Sequence, residues 1–209
     1  DRIIAVSKYE KNLLLKDFNI VKGKISVIPN GVDLSEFSGL EQMPREPKTI
    51  LYVGRLEEYK GVQYIIHALP LLGKEFSAEI EGRGQYKPKL VELVAKLGLN
   101  DRVKFYGSVP HQELPKIYAS AGVFVVLSQY ECFCIVVAEA LAAKTPCIVA
   151  NTSALVEWVD NKNCFGIDYP VNYTGLAELI TKVIGTKVSI VKLWDWDEVA
   201  QQIDKLYQE

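Results

Sequence analysis

Short apolar segments alternate with amphipathic stretches along nearly the whole chain, and this alternation constrains the fold more than any other feature. Several of the apolar segments are rich in β-branched residues and apolar on successive positions, as strands covered on both faces must be. We predict strands at Arg2–Val6, Lys24–Ile28, Thr49–Val53, Ala78–Glu81, Val103–Tyr106, Val123–Leu127 and Cys147–Ala150.

The intervening stretches carry apolar residues at helical spacing, with charged residues turned outward. Leu97 is followed by Gly98, which indicates the end of a helix. Strand–helix–strand repetition with short links predicts right-handed crossovers and a Rossmann-like three-layer α/β sandwich with a parallel sheet. The helical stripes are Val62, Ile65, Ile66 and Leu69; Leu90, Leu93, Val94 and Leu97; Leu114, Ile117, Tyr118 and Ala121; Leu176, Leu179, Ile180 and Val183; and Val199, Ile203 and Leu206.

A length of 209 residues suits a single domain of this class. We assign residues 48–209 to the main sheet and its closing helices, and residues 1–47 to an N-terminal segment and linker. Within that linker Asn30–Pro47 is polar and predicts a surface connection with a hinge. The chain does not begin with Met, and we interpret it as a fragment of a longer protein.

Composition argues against several classes of protein. The 24 basic and 26 acidic residues give a formal charge of −2, which provides no broad positive field for nucleic acid. No apolar run reaches the roughly 20 residues of a membrane span. The four cysteines lie in or beside apolar segments without zinc spacing, so we expect no disulfide framework, no metal and a cytoplasmic location; they are Cys132, Cys134, Cys147 and Cys164.

The first candidate site follows the predicted strand that ends at Val53. Gly54 permits a sharp turn, and Arg55 and Lys60 then project from the carboxyl rim of the sheet, with Gly61 opening the next helix. Two cations beside a helix N-terminus are suited to clamp a diphosphate. On spacing alone, two solvated side chains on a loop are the simpler explanation of the pattern.

The second candidate site is the segment from Ser128 to Ala140, where a strand gives way to a helix. Glu131 falls in the loop and Glu139 on the second helical turn. A carboxylate on an apolar helix face needs hydrogen-bond donors, and sugar or ribose hydroxyls are good ones. The alternative is an exposed acid favoured by the helix dipole.

The third candidate, Gly82–Gly84, follows a strand but lacks the third glycine of a dinucleotide fingerprint, because Lys87 stands there. Asp101 is therefore a weak candidate for a ribose contact. The histidines, His67 and His111, have no Ser or Cys partner that would indicate a hydrolase triad.

Taken together and in this order, the motifs resemble the family 4 glycosyltransferases, retaining enzymes built from two Rossmann-like domains in the GT-B fold. The resemblance covers nearly the whole chain and is specific as a combination. Its residues are Ile3–Ser7, Val27–Asp33, Val53–Leu56, Lys60-Gly61, Gly82, Gly84, Val103, Phe105, Gly107, Val109, Glu113–Pro115, Tyr118, the Glu131 and Glu139 pair, Thr145-Pro146 and Glu157.

The resemblance implies a role for each charged residue. Arg55 and Lys60 would hold the diphosphate of a nucleotide-sugar donor. Glu139 would accept hydrogen bonds from the ribose hydroxyls, and Glu131 would lie beside the hydroxyls of the transferred sugar. Arg55, Lys60 and Glu131 are therefore the predicted catalytic residues.

The resemblance also implies the uncharged part of the donor site. Gly54 and Gly82 would line it, and Val109 and Leu114 would lie near the base. Backbone groups at the start of the helix would face the phosphates and the sugar, and these belong to Phe133, Cys134 and Ile135.

The chain would then be the donor-binding domain of a retaining hexosyltransferase that uses a UDP-, GDP- or ADP-linked sugar without a metal or other cofactor. An N-terminal domain outside this chain would hold the acceptor and make any peripheral membrane contact. The isolated chain would bind donor and transfer little.

This chain departs from the family where glycine is usual, at Cys132, Cys134, Lys144 and Ser153-Ala154. If those glycines allow the backbone to approach the donor, each Cβ narrows the sugar pocket. The departures leave open an unusual donor sugar or a non-catalytic nucleotide-sugar-binding module. A nicotinamide-dependent dehydrogenase shares the fold but requires the missing third glycine.

Overall fold

A computed structural model describes residues 2–18, 20–40, 43–189 and 191–208 of the chain. These residues form eight strands and seven α-helices, joined by short 3₁₀ turns. The strands are β1 (Ile3–Ala5), β2 (Ile25–Val27), β3 (Glu46–Val53), β4 (Ser77–Glu81), β5 (Val103–Gly107), β6 (Ala121–Val126), β7 (Cys147–Ala150) and β8 (Cys164–Ile167). The helices are α1 (Lys8–Asp17), α2 (Val62–Ala68), α3 (Lys87–Lys96), α4 (Leu114–Ser120), α5 (Ile135–Ala142), α6 (Tyr173–Val183) and α7 (Trp196–Gln208).

The main sheet contains six parallel strands in the order β5-β4-β3-β6-β7-β8. Helix α2 packs against α3 and α6, and α4 packs against α5, which gives the helix layers of a doubly wound fold. The predicted Rossmann-like α/β class is confirmed. Every residue of β6 and β7 is buried, which explains why these strands are apolar on successive residues.

The sequence pattern did not predict β8 or α1. Strand β8 lies at the edge of the sheet, where only Cys164 of its four residues is fully buried, so it lacks a continuous apolar run. Helix α1 buries none of its residues and therefore shows no strong apolar stripe. The predicted stripes also extend too far at three helix ends, because Leu69 lies beyond α2, Leu97 lies beyond α3 and Ala121 belongs to β6.

Residues upstream of the main sheet have a fold of their own. Strands β1 and β2 pair in parallel, joined by α1, and form a separate two-stranded sheet. Strand β3 begins at Glu46, two residues before the predicted start of the main sheet at residue 48. Val32 and Phe37, from the predicted surface connection, are buried in the main core, so this part of the connection is anchored.

Two sets of hydrogen bonds join the small sheet to the rest of the chain. The amides of Lys8 and Tyr9, at the start of α1, donate to the Glu157 carboxylate at 3.2 and 2.7 Å. The Val32 amide donates to the Trp194 carbonyl at 2.8 Å. The segment after β2 therefore lies beside the segment that leads into α7. The first turn of α1 is therefore satisfied by protein groups.

Candidate active site

The strand order reverses between β3 and β6, and open α/β sheets bind ligands beyond the carboxyl ends of the strands at such a point. The turn after β3 meets the turn after β4 there. Gly54 and Gly82 have φ of 154° and 138°, and a Cβ on Gly82 would collide with the Gly54 carbonyl oxygen. Glycine at position 82 is therefore required for the two backbones to approach this closely, whereas a Cβ on Gly54 would meet the Tyr52 hydroxyl.

Lys60 and Glu131 form an ion pair across the switch point, with Nζ and Oε1 2.6 Å apart. Their side chains are 14% and 15% exposed, so the pair is only partly screened by solvent. Backbone contact between the two loops holds the pair in place, because the Gln129 amide donates to the Tyr59 carbonyl at 2.7 Å. The Lys60 ammonium group keeps two N–H donors for a ligand.

Arg55 is exposed at the same rim. Its Nη2 donates to the Tyr59 hydroxyl at 2.7 Å, and its carbonyl accepts a hydrogen bond from the buried Tyr52 hydroxyl at 2.7 Å. The backbone at Arg55 is thus anchored to the core, whereas the guanidinium group faces solvent beside Lys60 and can move toward an anion.

The N-terminus of α5 opens onto this site. Cys134 is its N-cap residue and makes no side-chain cap hydrogen bond, and the first turn contains no acidic residue. The first amides of a helix carry partial positive charge and no intrahelical acceptor. This end of α5 is therefore suited to an anion supplied from outside the chain.

Glu139 lies on the second turn of α5, as predicted. The Tyr118 hydroxyl donates to Glu139 Oε2 at 2.7 Å. Burial raises the pKa of Tyr118 well above its usual value, and the Glu139 charge adds to the effect, so the phenol remains a hydrogen-bond donor. One carboxylate oxygen of Glu139 is thereby held in place by Tyr118.

Three adjoining cavities surround the carboxyl end of β3, with volumes of about 150, 370 and 580 Å³. The smallest, the switch-point cavity, is lined by Tyr52, Val53, Gly54, Lys60, Val126, Ser128, Glu131, Cys134, Ile135 and Val136. The β4 cavity is lined by Val53, Gly54, Arg55, Glu81, Gly82, Arg83, Gly107, Ser108, Val109 and Leu114. The tyrosine cavity is lined by Tyr9, Leu13, Arg55, Tyr59, Lys60, Tyr130, Glu131 and Cys132.

Most predicted site residues meet in these cavities. Phe133 is an exception, because it lines a different cavity beside the small sheet, and its carbonyl accepts a hydrogen bond from the Trp158 indole at 2.7 Å. Glu139 is not among the side chains that line the three cavities of the described chain.

Sequence reasoning missed two polar groups in the site. Glu81 ends β4 and lines the β4 cavity, and Ser128 lines the switch-point cavity; both are buried. Neither Glu81 Oε2 nor Ser128 Oγ has a hydrogen-bond partner among the described residues. The available signal for Glu81 was a carboxylate at the end of a strand, directly before Gly82.

At three positions where the family usually has glycine, the residue of this chain adopts the left-handed backbone conformation that glycine tolerates best. Cys134, Lys144 and Ser153 have φ of 70°, 60° and 45°. Ser153 also holds the Glu131 loop, because its Oγ accepts a hydrogen bond from the Glu131 amide at 2.9 Å. These substitutions therefore preserve the backbone path and add a Cβ to it, at a conformational cost of roughly 1–2 kcal/mol each.

The described residues contain neither a membrane-spanning helix nor a cluster of metal-ligating side chains. No helix in that part of the chain is long and apolar enough to cross a membrane. No group of three or more His, Cys, Asp or Glu residues there could hold a metal ion.

The fold is that of a Rossmann-like α/β domain, with a cationic rim at its switch point. The sequence model described as glycosyl transferases group 1 matches residues 36–208, and the model described as glycosyltransferase family 4 matches residues 1–36. The chain therefore belongs to the group 1 glycosyl transferases, and its resemblance to family 4 enzymes is confirmed. The two models meet between the small sheet and the main sheet.

Relatives and solved structures agree with this assignment. An uncharacterized glycosyltransferase of Methanocaldococcus jannaschii is 32% identical, with 99% of this chain and 60% of that protein covered. Mannosylfructose-phosphate synthase of Agrobacterium fabrum is 32% identical, covering 97% of this chain and 52% of that protein. The chain thus spans little more than half the length of these relatives.

Among solved structures, Anabaena HepE in complex with UDP and glucose has a TM-score of 0.85 at 23% identity, covering 99% of this chain and 63% of that one. Sucrose-phosphate synthase of Thermosynechococcus elongatus has the same TM-score at 25% identity, covering 100% of this chain and 58% of that one. Both have the GT-B architecture that the resemblance implied.

Proposed function

We propose that this chain binds a nucleoside-diphosphate sugar at the switch point and serves retaining transfer of a hexosyl group to an acceptor held by an N-terminal domain. The observation that carries the proposal is the Lys60–Glu131 pair beside the uncapped N-terminus of α5, with Arg55 on the same rim. The complex with UDP and glucose of the similarly folded HepE supports a nucleotide-sugar ligand.

The site supplies positive charge where the leaving group develops negative charge. As the glycosidic bond breaks, the electron pair remains on the diphosphate oxygen. Lys60, Arg55 and the first amides of α5 are suited to stabilise that charge without reorganisation of solvent. We therefore expect no requirement for a metal ion. Glu131 keeps Lys60 oriented before the donor arrives and can accept a hydrogen bond from a sugar hydroxyl.

The non-catalytic alternative is less well supported by the backbone geometry. Cys134, Lys144 and Ser153 retain positive φ, so the loops keep the path that glycines would give them. The added Cys134 side chain lines the switch-point cavity, which favours an altered sugar preference over loss of function. Donor hydrolysis or sugar transfer by the full-length protein would eliminate the non-catalytic alternative.

Calorimetry with UDP, GDP and ADP tests the donor site directly. We expect at least one to bind, and Arg55→Ala to weaken that binding by about 1.5–3 kcal/mol, the range for a hydrogen bond to a charged group. Lys96→Ala, an exposed change on α3, is the matched control and should leave the affinity unchanged. If none of the three nucleotides binds, the proposed function is wrong.

A further inference from the structure

Glu81 is a buried residue in a ligand-sized cavity, and one of its carboxyl oxygens has no hydrogen-bond partner among the described residues. The residue is 3% exposed and lines the β4 cavity together with the apolar side chains of Val53, Val109 and Leu114. No hydrogen bond or ion pair from the described residues reaches its Oε2 atom. Because buried polar groups are nearly always satisfied, an orphaned carboxyl oxygen in a cavity indicates a ligand that supplies the missing donor.

The charged and titratable groups around Glu81 do not neutralise it. Glu79, two residues earlier on the same face of β4, accepts a hydrogen bond from the Tyr106 hydroxyl of β5 at 3.0 Å. Arg55 and Arg83 line the same cavity but are exposed and form no ion pair with Glu81 in the described chain. Burial, with a smaller contribution from Glu79, raises the pKa of Glu81 to about 7.

The position of the cavity identifies the part of the ligand that would enter it. The β4 cavity shares Val53 and Gly54 with the switch-point cavity, and it shares Arg55 with the tyrosine cavity. A nucleotide whose diphosphate lies between Arg55 and Lys60 can extend its nucleoside along the ends of β4 and β5, because Arg55 also lines the β4 cavity. The base would then lie among Val109, Leu114 and Glu81.

We propose that Glu81 recognises the base of the donor and selects guanine, an inference that rests on the proposed function. The Watson–Crick edge of guanine presents two adjacent N–H donors, N1–H and N2–H, which match the two oxygens of an ionised carboxylate. Hydrogen bonds to a charged acceptor are about twice as strong as neutral ones. Such a pair would satisfy the orphaned Oε2 atom.

The other two bases pair less well with an ionised carboxylate. Adenine presents one donor beside an acceptor, and uracil presents one donor between two acceptors. Each would form two hydrogen bonds only with the protonated acid. Guanine binding should therefore displace a proton from Glu81 below neutral pH, whereas adenine or uracil binding should take one up.

The test measures the affinities of GDP, UDP and ADP for the chain near pH 6 and near pH 8, on either side of the Glu81 pKa of about 7. We expect GDP to bind about tenfold more tightly than UDP or ADP near pH 8, the range for a bidentate base contact. The preference should shrink near pH 6. The ratio of affinities is the measured quantity because all three ligands share the titrating diphosphate.

Two variants connect the preference to this residue. Glu81→Gln should weaken GDP binding about tenfold near pH 8, leave UDP and ADP within about threefold, and remove the pH dependence of the ratio. Glu79→Gln is the matched control, because it neutralises a carboxylate on the same strand face outside the cavity, and it should preserve the GDP preference.

The outcomes separate this inference from the proposed function. Diphosphate binding that is indifferent to the base, or unchanged by Glu81→Gln, overturns the role of Glu81 and leaves the donor site standing. A preference for UDP or ADP overturns the assignment of guanine. Failure of all three ligands to bind the wild-type chain would instead overturn the donor site itself.

Discussion

The candidate site has two halves, one formed by the ends of β3, β4 and β5 and the other by β6, α5 and the segment after β7. The two halves differ in the residue types that occupy backbone positions with positive φ. At the ends of β3, β4 and β5, the residues with positive φ are glycines: Gly54, Gly82 and Gly107. On the side of β6, α5 and β7 they are residues with a Cβ: Cys134, Lys144 and Ser153. The glycine half permits two backbones to approach within contact distance at Gly82, whereas the other half accepts conformational strain. There Cys134 lines the switch-point cavity and Ser153 bonds the Glu131 loop, while Lys144 lies at the opposite end of α5.

The carboxyl groups differ in the same way between the halves. On the β6 side, Glu131 is paired with Lys60 and Glu139 accepts a hydrogen bond from Tyr118. On the β4 side, Glu81 is buried, and one of its oxygens has no partner in the part of the chain that the structure describes. The carboxylates on the β6 side therefore have protein partners before a ligand binds. On the β4 side, a ligand could supply the hydrogen-bond donor that Glu81 lacks.

The largest expected effect comes from giving the β6 half an unpartnered carboxylate. Lys60→Met should weaken nucleoside-diphosphate binding by about 2–3 kcal/mol, because it removes a charged donor and leaves Glu131 uncompensated. Calorimetry would measure the loss, with Lys116→Met, an exposed change on α4, as the control. Equal affinities for these two variants would show that the ion pair contributes nothing to the site.

The second prediction removes the unpartnered carboxylate from the β4 half. The pKa of Glu81 is raised from 4.5 to about 7, so the folded chain binds a proton that the unfolded chain releases between these values. The free energy of unfolding should therefore fall as pH rises through this window. Glu81→Gln should remove that fall and be more stable than wild type by about 1–2 kcal/mol near pH 8.

Denaturant unfolding at several pH values measures this difference. Glu79→Gln provides the comparison, since it removes a partly exposed carboxylate whose oxygen already has a partner. If the difference in unfolding free energy between wild type and Glu81→Gln stays constant between about pH 4 and pH 8, the proposed environment of Glu81 is wrong.

The smallest effects are expected when residue types are exchanged at positions with positive φ, with glycine introduced on the β6 side and alanine on the β4 side. Lys144 follows α5 as the left-handed residue of a C-terminal cap, with the Thr145 amide donating to the Ala140 carbonyl at 2.9 Å. Lys144→Gly should raise the free energy of unfolding by about 0.5–1 kcal/mol. The variant relieves backbone strain in the folded state, and the greater conformational entropy of glycine in the unfolded state offsets part of that gain.

Gly107→Ala is the reverse exchange. A Cβ there meets open space, so its cost is conformational, and the free energy of unfolding should fall by about 1 kcal/mol. Thermal unfolding of both variants checks the pair. Changes of the same sign would show that backbone strain does not distinguish the two halves.

Much of the fold followed from local patterns. Strand β7 was predicted with its observed bounds, and β3 to β6 were predicted within three residues, because buried parallel strands are apolar on successive positions. Strand β8 and helix α1 were missed because an edge strand and a helix without buried residues carry a weak periodic signal. Base and sugar contacts were inferred only through the family resemblance.

By itself, the sequence determined the parallel sheet, the order of its helices and the placement of Arg55, Lys60 and Glu131 at strand ends, since short-range periodicity encodes burial. Only the tertiary structure decided which groups meet. The Lys60–Glu131 pair joins residues 71 positions apart, and the isolation of Glu81 depends on three different strand ends. Pairing and desolvation are properties of neighbours in space, which no local pattern along the chain records.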